Sequence, residues 1–202
     1  MVFRRDIFTA LVSGVLMVSL VSCSSNGFKY EKYTAKDPML GLKVEYIKGW
    51  MHGESRGSNN SYAEVFFGEP AKDKSTSFKP FMNILVRDIA LLGAGSKDLD
   101  GIADIIISKN IKIHRASEVS LPRARIKLPA GEAVDSSFEF ETLDKIYSVG
   151  NSKIKVIERE VVLLKDSKAY ILSYRNRQED FSKYSKAFDH FIRSLRFEQV
   201  SP

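Results

Sequence analysis

The sequence predicts an α+β domain in which helices cover a mainly antiparallel sheet. Most of the chain after Asp37 has the two-residue hydrophobic period of β-strands, and only two segments have the period of amphipathic helices. Along the chain, three strands precede the first helix, and several more strands precede the closing helix. Strands joined by long antiparallel connections, with two helices to cover them, are typical of a layered α+β domain.

The composition fits one globular domain with a mildly basic surface. The chain has 202 residues, of which 44% are hydrophobic and 28% charged, and its formal net charge is +6. These proportions are ordinary for a folded protein. The positive excess favours acidic partners, either lipid headgroups or an acidic protein surface.

The amino terminus predicts export and lipid anchoring. Residues 1–22 resemble a signal peptide, because Arg4 and Arg5 precede an apolar run over residues 7–21 that is too short to span a bilayer. The run ends in LVSC, a bacterial lipobox, so we expect Cys23 to carry fatty-acyl chains such as palmitate and to anchor the protein. Cys23 is the only cysteine, which rules out an internal disulfide.

The rest of the chain divides into a tether and one domain. Residues 23–36 begin with Ser, Asn and Gly and are expected to be a lipidated tether, and residues 37–199 the folded domain. The predicted extracytoplasmic location argues against a nucleic-acid partner. Ser24 replaces the Asp that retains many lipoproteins at the inner membrane, so the prediction is the outer membrane.

The expected elements follow from their hydrophobic periods. Helices are expected over residues 97–110, with Leu99, Ile102 and Ile106 on one stripe, and over 181–195, which has an aromatic face. We interpret the aromatic face as packing against the sheet, with a groove for a partner helix as the alternative. Strands are expected over residues 42–46, 62–67, 81–86, 134–141, 154–164 and 168–174, the last two joined by a turn at 165–167.

Three short motifs resemble the PsbP-like superfamily, which includes bacterial DcrB-type lipoproteins and a eukaryotic nuclear-import factor. They are DPMLGL at residues 37–42, YIKGW at 46–50 and FIRSLRF at 191–197, although Ile47 stands where the family usually has proline. The resemblance covers about residues 33–197. It implies an α/β/α sandwich whose central, mainly antiparallel sheet is flanked by helices, with accessory or binding roles and no catalytic site.

Photosynthetic members of that superfamily help photosystem II to retain calcium and chloride at its lumenal face. The resemblance therefore allows a photosystem II accessory role on the lumenal thylakoid face in a photosynthetic host, and calcium by resemblance only. No residue of this chain is assigned to an ion site, and no cofactor is expected.

The pattern G-x-S-x-G at residues 53–57 raises a serine-hydrolase hypothesis for Ser55. A nucleophile elbow requires a helix after the serine, whereas the residues that follow Ser55 lead into a predicted strand. A solvated loop is the preferred interpretation, so no catalytic residue is expected and hydrolysis is the weakest hypothesis.

Metal sites are not expected either. The three histidines, His52, His114 and His190, lack metal-ligand spacing. The Asp-x-Asp-Gly segment at residues 98–101 lacks the other ligands of a calcium loop, so it is interpreted as a helix start capped by Ser96 or Asp98.

A run of basic residues is the candidate docking surface. Arg123, Arg125 and Lys127 alternate, so a strand would place them on one face. This face is able to dock anionic headgroups or an acidic protein. The preferred interpretation is a solvated edge strand whose charges discourage aggregation. We call the whole candidate set the basic stripe: Lys112, Arg115, Arg123, Arg125 and Lys127.

The sequence therefore favours a non-enzymatic, membrane-anchored extracytoplasmic lipoprotein. Its expected role is that of an accessory or binding subunit, with membrane lipid held through acylated Cys23 and an acidic membrane protein as partner. A periplasmic carrier of a small ligand or a metal ion is the alternative.

Overall fold

The computed structural model describes residues 27–70, 78–93, 98–114, 117–118, 123–143 and 153–198. Within these residues the chain forms two α-helices, α1 (Leu99–His114) and α2 (Phe181–Ser194). The strands are β1 (Tyr30–Thr34), β2 (Leu42–Ile47), β3 (Met51–Arg56), β4 (Tyr62–Gly68), β5 (Phe81–Asp88), β6 (Ser117–Glu118), β7 (Ala124–Leu128), β8 (Gly131–Leu143), β9 (Lys153–Lys165), β10 (Lys168–Arg177) and β11 (Arg196–Phe197).

The strands form a large and a small antiparallel sheet. The large sheet has the order β3-β4-β5-β10-β9-β8-β6, with β7 also paired to β8, and the small sheet has the order β1-β2-β11. No described helix is long and apolar enough to cross a membrane.

The two faces of the large sheet are covered differently. One face packs against α2 and the small sheet, in a core that contains Phe67, Tyr174 and Phe191. The other face packs against α1 through residues such as Val162 and Ile171. Helices therefore lie on both sides of a central antiparallel sheet, and the predicted α/β/α sandwich is confirmed.

Four strands were not predicted: β1, β3 and the two-residue strands β6 and β11. Tyr30–Thr34 falls within the expected tether, yet β1 pairs with β2 along its whole length, so the tether boundary at residue 36 is wrong. Met51–Arg56, interpreted as a loop, is the edge strand β3 paired with β4. Strands β1 and β3 are short and carry many polar side chains. Hydrogen bonds between backbones hold them in their sheets, so their sequences lack a clear hydrophobic alternation.

The turn that leads to Trp50 forms although Ile47 stands where the PsbP-like superfamily usually has proline. Ile47 ends β2, and the Trp50 N–H donates to the Ile47 carbonyl at 3.1 Å. Gly49 has a φ of +85°, which only glycine adopts easily in such a turn. Trp50 is buried against Tyr184 of α2, so the turn still delivers its aromatic side chain to the core.

The start of α1 agrees with the capping interpretation. Asp98 Oδ1 accepts a hydrogen bond from the Gly101 N–H at 2.8 Å, as an N-cap side chain does. The helix continues to His114, four residues beyond the predicted end at 110. Ser96 lies outside the described residues.

Candidate functional site

Two arginines of the basic stripe form ion pairs with acids. Arg123 forms an ion pair with Asp104, and Arg125 pairs with Asp100 and, at 3.4 Å, with Glu132. Acids of α1 therefore lie beside both of these arginines. A sequence pattern within one strand does not show which charges a distant helix places next to it.

The other members of the predicted set are less constrained. Lys127 and Lys112 are exposed on β7 and α1. Arg115 and the proposed lipidation site Cys23 lie outside the described residues. Of the basic stripe, the structure therefore describes two paired arginines and two exposed lysines.

A different group of basic residues lines a cavity of about 420 Å³ between the small sheet and the end of α2. We call it the cationic cleft. Its charged lining residues come from β1, β2, α2 and β11: Lys32, Lys43, Glu45, His190, Arg193 and Arg196.

Strand register explains why these side chains share one surface. Leu42, Val44 and Tyr46 of β2 are buried, so the alternate residues Lys43 and Glu45 face outward. Lys32 of β1 is the register partner of Glu45, and Arg196 of β11 is the partner of Lys43. The small sheet thus gathers charges that are far apart in sequence.

The acids at the cleft are already engaged. Glu45 Oε2 lies 2.8 Å from His190 Nε2, and the His190 ring stacks on Tyr30 at 3.8 Å between centroids. Lys43 Nζ lies 3.4 Å from a carboxylate oxygen of Glu198.

The remaining cations keep donors available. Among the described residues, Lys32 and Arg193 have no acidic partner. Arg196 uses Nη1 to cap the carbonyls of Arg193 and Leu195. A concave surface with free ammonium and guanidinium donors suits a carboxylate or phosphate group. The helical period places Arg193 opposite the aromatic face of α2, but no sequence pattern shows that Lys32 of β1 lies beside it.

A second polar cluster is buried under α1. Glu158 and Glu160 lie on the same face of β9, and both are almost fully buried. Glu158 accepts a hydrogen bond from Arg175 Nε at 2.8 Å, and the Arg175 guanidinium lies against the rings of Phe81 and Phe140. Of the two adjacent carboxyl groups, Arg175 therefore bonds to that of Glu158.

The second carboxyl group is poorly satisfied. Glu160 Oε1 accepts from Asn110 Nδ2 at 2.5 Å, while Glu160 Oε2 is buried without a hydrogen-bond partner. Burial, and then the charge of Glu158, raises the pKa of Glu160 to about 8. The Glu160 carboxyl group therefore keeps its proton to a higher pH than an exposed glutamate does.

The histidines occupy separate environments. His114 stacks on Phe140 at 4.4 Å, and burial followed by the charge of Arg175 lowers its pKa. His52 contacts the ring of Tyr33 at 5.1 Å. In the part of the chain that the structure describes, no group of three or more His, Cys, Asp or Glu side chains is placed to hold a metal ion.

The G-x-S-x-G pattern has a structural role. Ser55 lies within β3 and not at a turn from a strand into a helix, which is the position that a nucleophile elbow requires. Its neighbour Glu54 accepts hydrogen bonds from the Tyr33 hydroxyl, the Lys36 N–H at 2.7 Å and the Asp37 N–H at 2.9 Å. Through these hydrogen bonds, Glu54 holds the β1–β2 connection against β3, the edge strand of the large sheet.

Comparison by sequence finds neither a matching protein-family model nor a matching curated protein. Comparison of structures finds similar folds. The chain spans about half the length of a Bacteroides thetaiotaomicron protein, with 14% identity, 84% of this chain and 49% of the other covered, and a TM-score of 0.49.

Two further structures match over almost their whole length. The Saccharomyces cerevisiae Ran-binding protein Mog1p has a TM-score of 0.53 at 6% identity, with 84% of this chain and 96% of Mog1p covered. PsbP of the cyanobacterium Synechocystis sp. PCC 6803 has a TM-score of 0.53 at 13% identity, with 88% and 98% covered. The predicted resemblance is confirmed at the level of the fold: this chain has the PsbP-like α/β/α-sandwich fold.

Proposed function

We propose that this chain is a lipid-anchored, extracytoplasmic protein that acts without catalysis as an accessory subunit of a membrane-associated assembly. In this proposal the cationic cleft docks an acidic segment of a membrane protein. The single observation that carries it is the cleft itself, in which Lys32 and Arg193 have no acidic partner among the described residues. The PsbP-like fold is consistent with an accessory role.

The position of the cleft relative to the anchor supports docking beside a membrane. Phe28 packs against Tyr184 of α2, with ring centroids 5.4 Å apart. Only five residue steps separate Phe28 from Cys23, a reach of at most about 18 Å. Since β1 lines the cleft, acylation at Cys23 would hold the cleft close to the headgroups.

Anchoring is tested by fractionation and mass spectrometry. The native amino terminus should be an acylated Cys23, and Cys23→Ala should move the protein from the membrane to the soluble fraction. Density-gradient separation of the two membranes tests the favoured outer-membrane location. Membrane retention of Cys23→Ala, or an unmodified thiol on an intact chain, would refute the anchor.

Docking is tested by charge reversal in the native lipoprotein. Lys32→Glu combined with Arg193→Glu should abolish co-purification of a specific acidic membrane protein, and the wild-type interaction should weaken with added salt. Arg123→Glu combined with Arg125→Glu is the matched control, because those arginines are already paired. Equal retention of the partner by both double variants would refute docking at the cleft.

A further inference from the structure

A second cavity lies on the other side of the large sheet. It has a volume of about 120 Å³ and is bounded by α1, β5 and β10. Leu85 and Ile171 form its floor and Ile106 part of its wall. Its mouth carries Leu91 and Ile113, which are 64% and 61% exposed.

The clustering of exposed apolar groups at this cavity is unusual. Among the described residues, five large hydrophobic side chains are exposed, and two of them line this one cavity. Isolated exposed hydrophobic residues are ordinary, but apolar groups gathered around a concavity mark a binding surface.

The cavity also contains an unsatisfied cationic donor. Arg87 Nε is buried and has no hydrogen-bond acceptor among the described residues. Lys109 of α1 is the second cation in the lining, which contains no acid. Glu64, the register partner of Leu85, is engaged by Asn83 Nδ2 at 2.7 Å. A buried donor without an acceptor is costly, and an anion in the cavity would lie beside the charge of the same guanidinium.

We propose that this cavity, which we call the Arg87 groove, binds a small aliphatic monocarboxylate. The aliphatic chain contacts Leu85, Ile106 and Ile171, and the carboxylate accepts a hydrogen bond from Arg87 beside the charge of Lys109. The groove is slightly smaller than an engineered cavity of about 150 Å³ that binds benzene, so it suits a chain of roughly six carbons. This site is independent of the cationic cleft, which lies across the large sheet.

The test is a titration of the purified full chain in lipid nanodiscs with hexanoate, followed through ¹³C-labelled isoleucine methyl groups. We expect saturable shifts at Ile106, Ile113 and Ile171. The core residues Ile47 and Ile192, which lie on the α2 side of the sheet, should not shift. The uncharged analogue 1-hexanol should bind at least about tenfold more weakly, because it lacks the charge-assisted hydrogen bond.

Variants assign the binding to Arg87. Arg87→Gln should weaken hexanoate binding by about tenfold or more, whereas Arg193→Gln removes a cation from the cationic cleft and should have no effect. If Arg87→Gln also shifts Ile47 and Ile192, Lys109→Gln on the exposed side of α1 provides the same test, with weaker binding expected. The proposal is overturned if hexanoate causes no saturable shift, if hexanol binds equally well, or if neither variant weakens hexanoate binding.

Discussion

Glu160 is a residue whose ionisation opposes folding. Its carboxyl group lies beside Glu158, on a strand face that also meets Arg175 from β10 and Asn110 and His114 from α1. Arg175 is already committed to Glu158. A second negative charge in this buried cluster would have no counterion of its own, which explains why the protonated form is favoured.

The first prediction concerns the pH dependence of stability. The pKa of Glu160 is raised from 4.5 to about 8 in the folded chain. Its contribution to stability is therefore fully present below about pH 4.5 and is lost as the pH rises through 8. Glu160→Gln cannot ionise, so its free energy of unfolding relative to wild type should increase between pH 5 and 9.

Urea denaturation at several pH values measures that difference. Glu141→Gln is the matched control, because Glu141 is an exposed glutamate whose ion pair among the described residues is with Lys153. Parallel pH profiles for wild type and Glu160→Gln would contradict a protonated Glu160.

Glu54 is the second informative residue, because one carboxylate satisfies three donors from the β1–β2 region. Glu54→Ala leaves the buried Tyr33 hydroxyl and the Asp37 N–H without this acceptor. We expect a loss of about 1–3 kcal/mol in the free energy of unfolding and faster amide exchange at residues 33–37.

Ser55→Ala is the control for that measurement. Ser55 is exposed on the opposite face of β3 and should change stability by no more than about 0.5 kcal/mol. Equal effects of the two substitutions would refute the fastening role of Glu54.

At the scale of elements, α2 joins the two sheets through its aromatic face. Phe191 is fully buried and meets the Phe67 ring edge-on, with centroids 5.4 Å apart. On the same face of the large sheet, Arg159 of β9 bonds to Asp135 and, at 2.7 Å, to Asp189 of α2. Apolar packing and a bridging guanidinium therefore both hold the helix in place.

Phe191→Ala should lower the free energy of unfolding by about 3–5 kcal/mol, since it removes an aromatic side chain from a closed core. Lys186→Ala on the exposed face of α2 should change it by no more than about 0.5 kcal/mol. Denaturant unfolding compares them, and a Phe191→Ala loss below about 1 kcal/mol would show that α2 is not packed as described.

Whether the sequence predicted a strand or helix depended on how much of that element is buried. The strands around Val65, Ile84 and Val161 have one or two apolar faces, and both helices have apolar stripes, so periodicity located all of them. Strands β1 and β3 are half-exposed and polar, so periodicity alone missed them. The cationic cleft was missed for a related reason: the register between β1, β2 and β11 brings Lys32, Lys43 and Arg196 together.

At the scale of the whole molecule, the sandwich separates two surfaces of different chemistry. The cationic cleft lies on the side of the small sheet and α2, while the Arg87 groove lies beside α1 on the opposite face of the large sheet. In the proposed function, the anchor at Cys23 precedes β1 by a few residues and would hold the cleft close to the membrane. An accessory subunit is able to dock through one face and leave the other open.

The most direct measurement is photo-crosslinking in native membranes. A photoreactive amino acid replaces Thr34, which lines the cleft, or Lys127, which belongs to the basic stripe. We predict one adduct, formed with an acidic membrane-associated protein from position 34 and not from position 127. This adduct should be lost when Lys32→Glu and Arg193→Glu are added. Adducts from position 127 alone, adducts with lipid alone, or no adduct from position 34 would contradict this prediction.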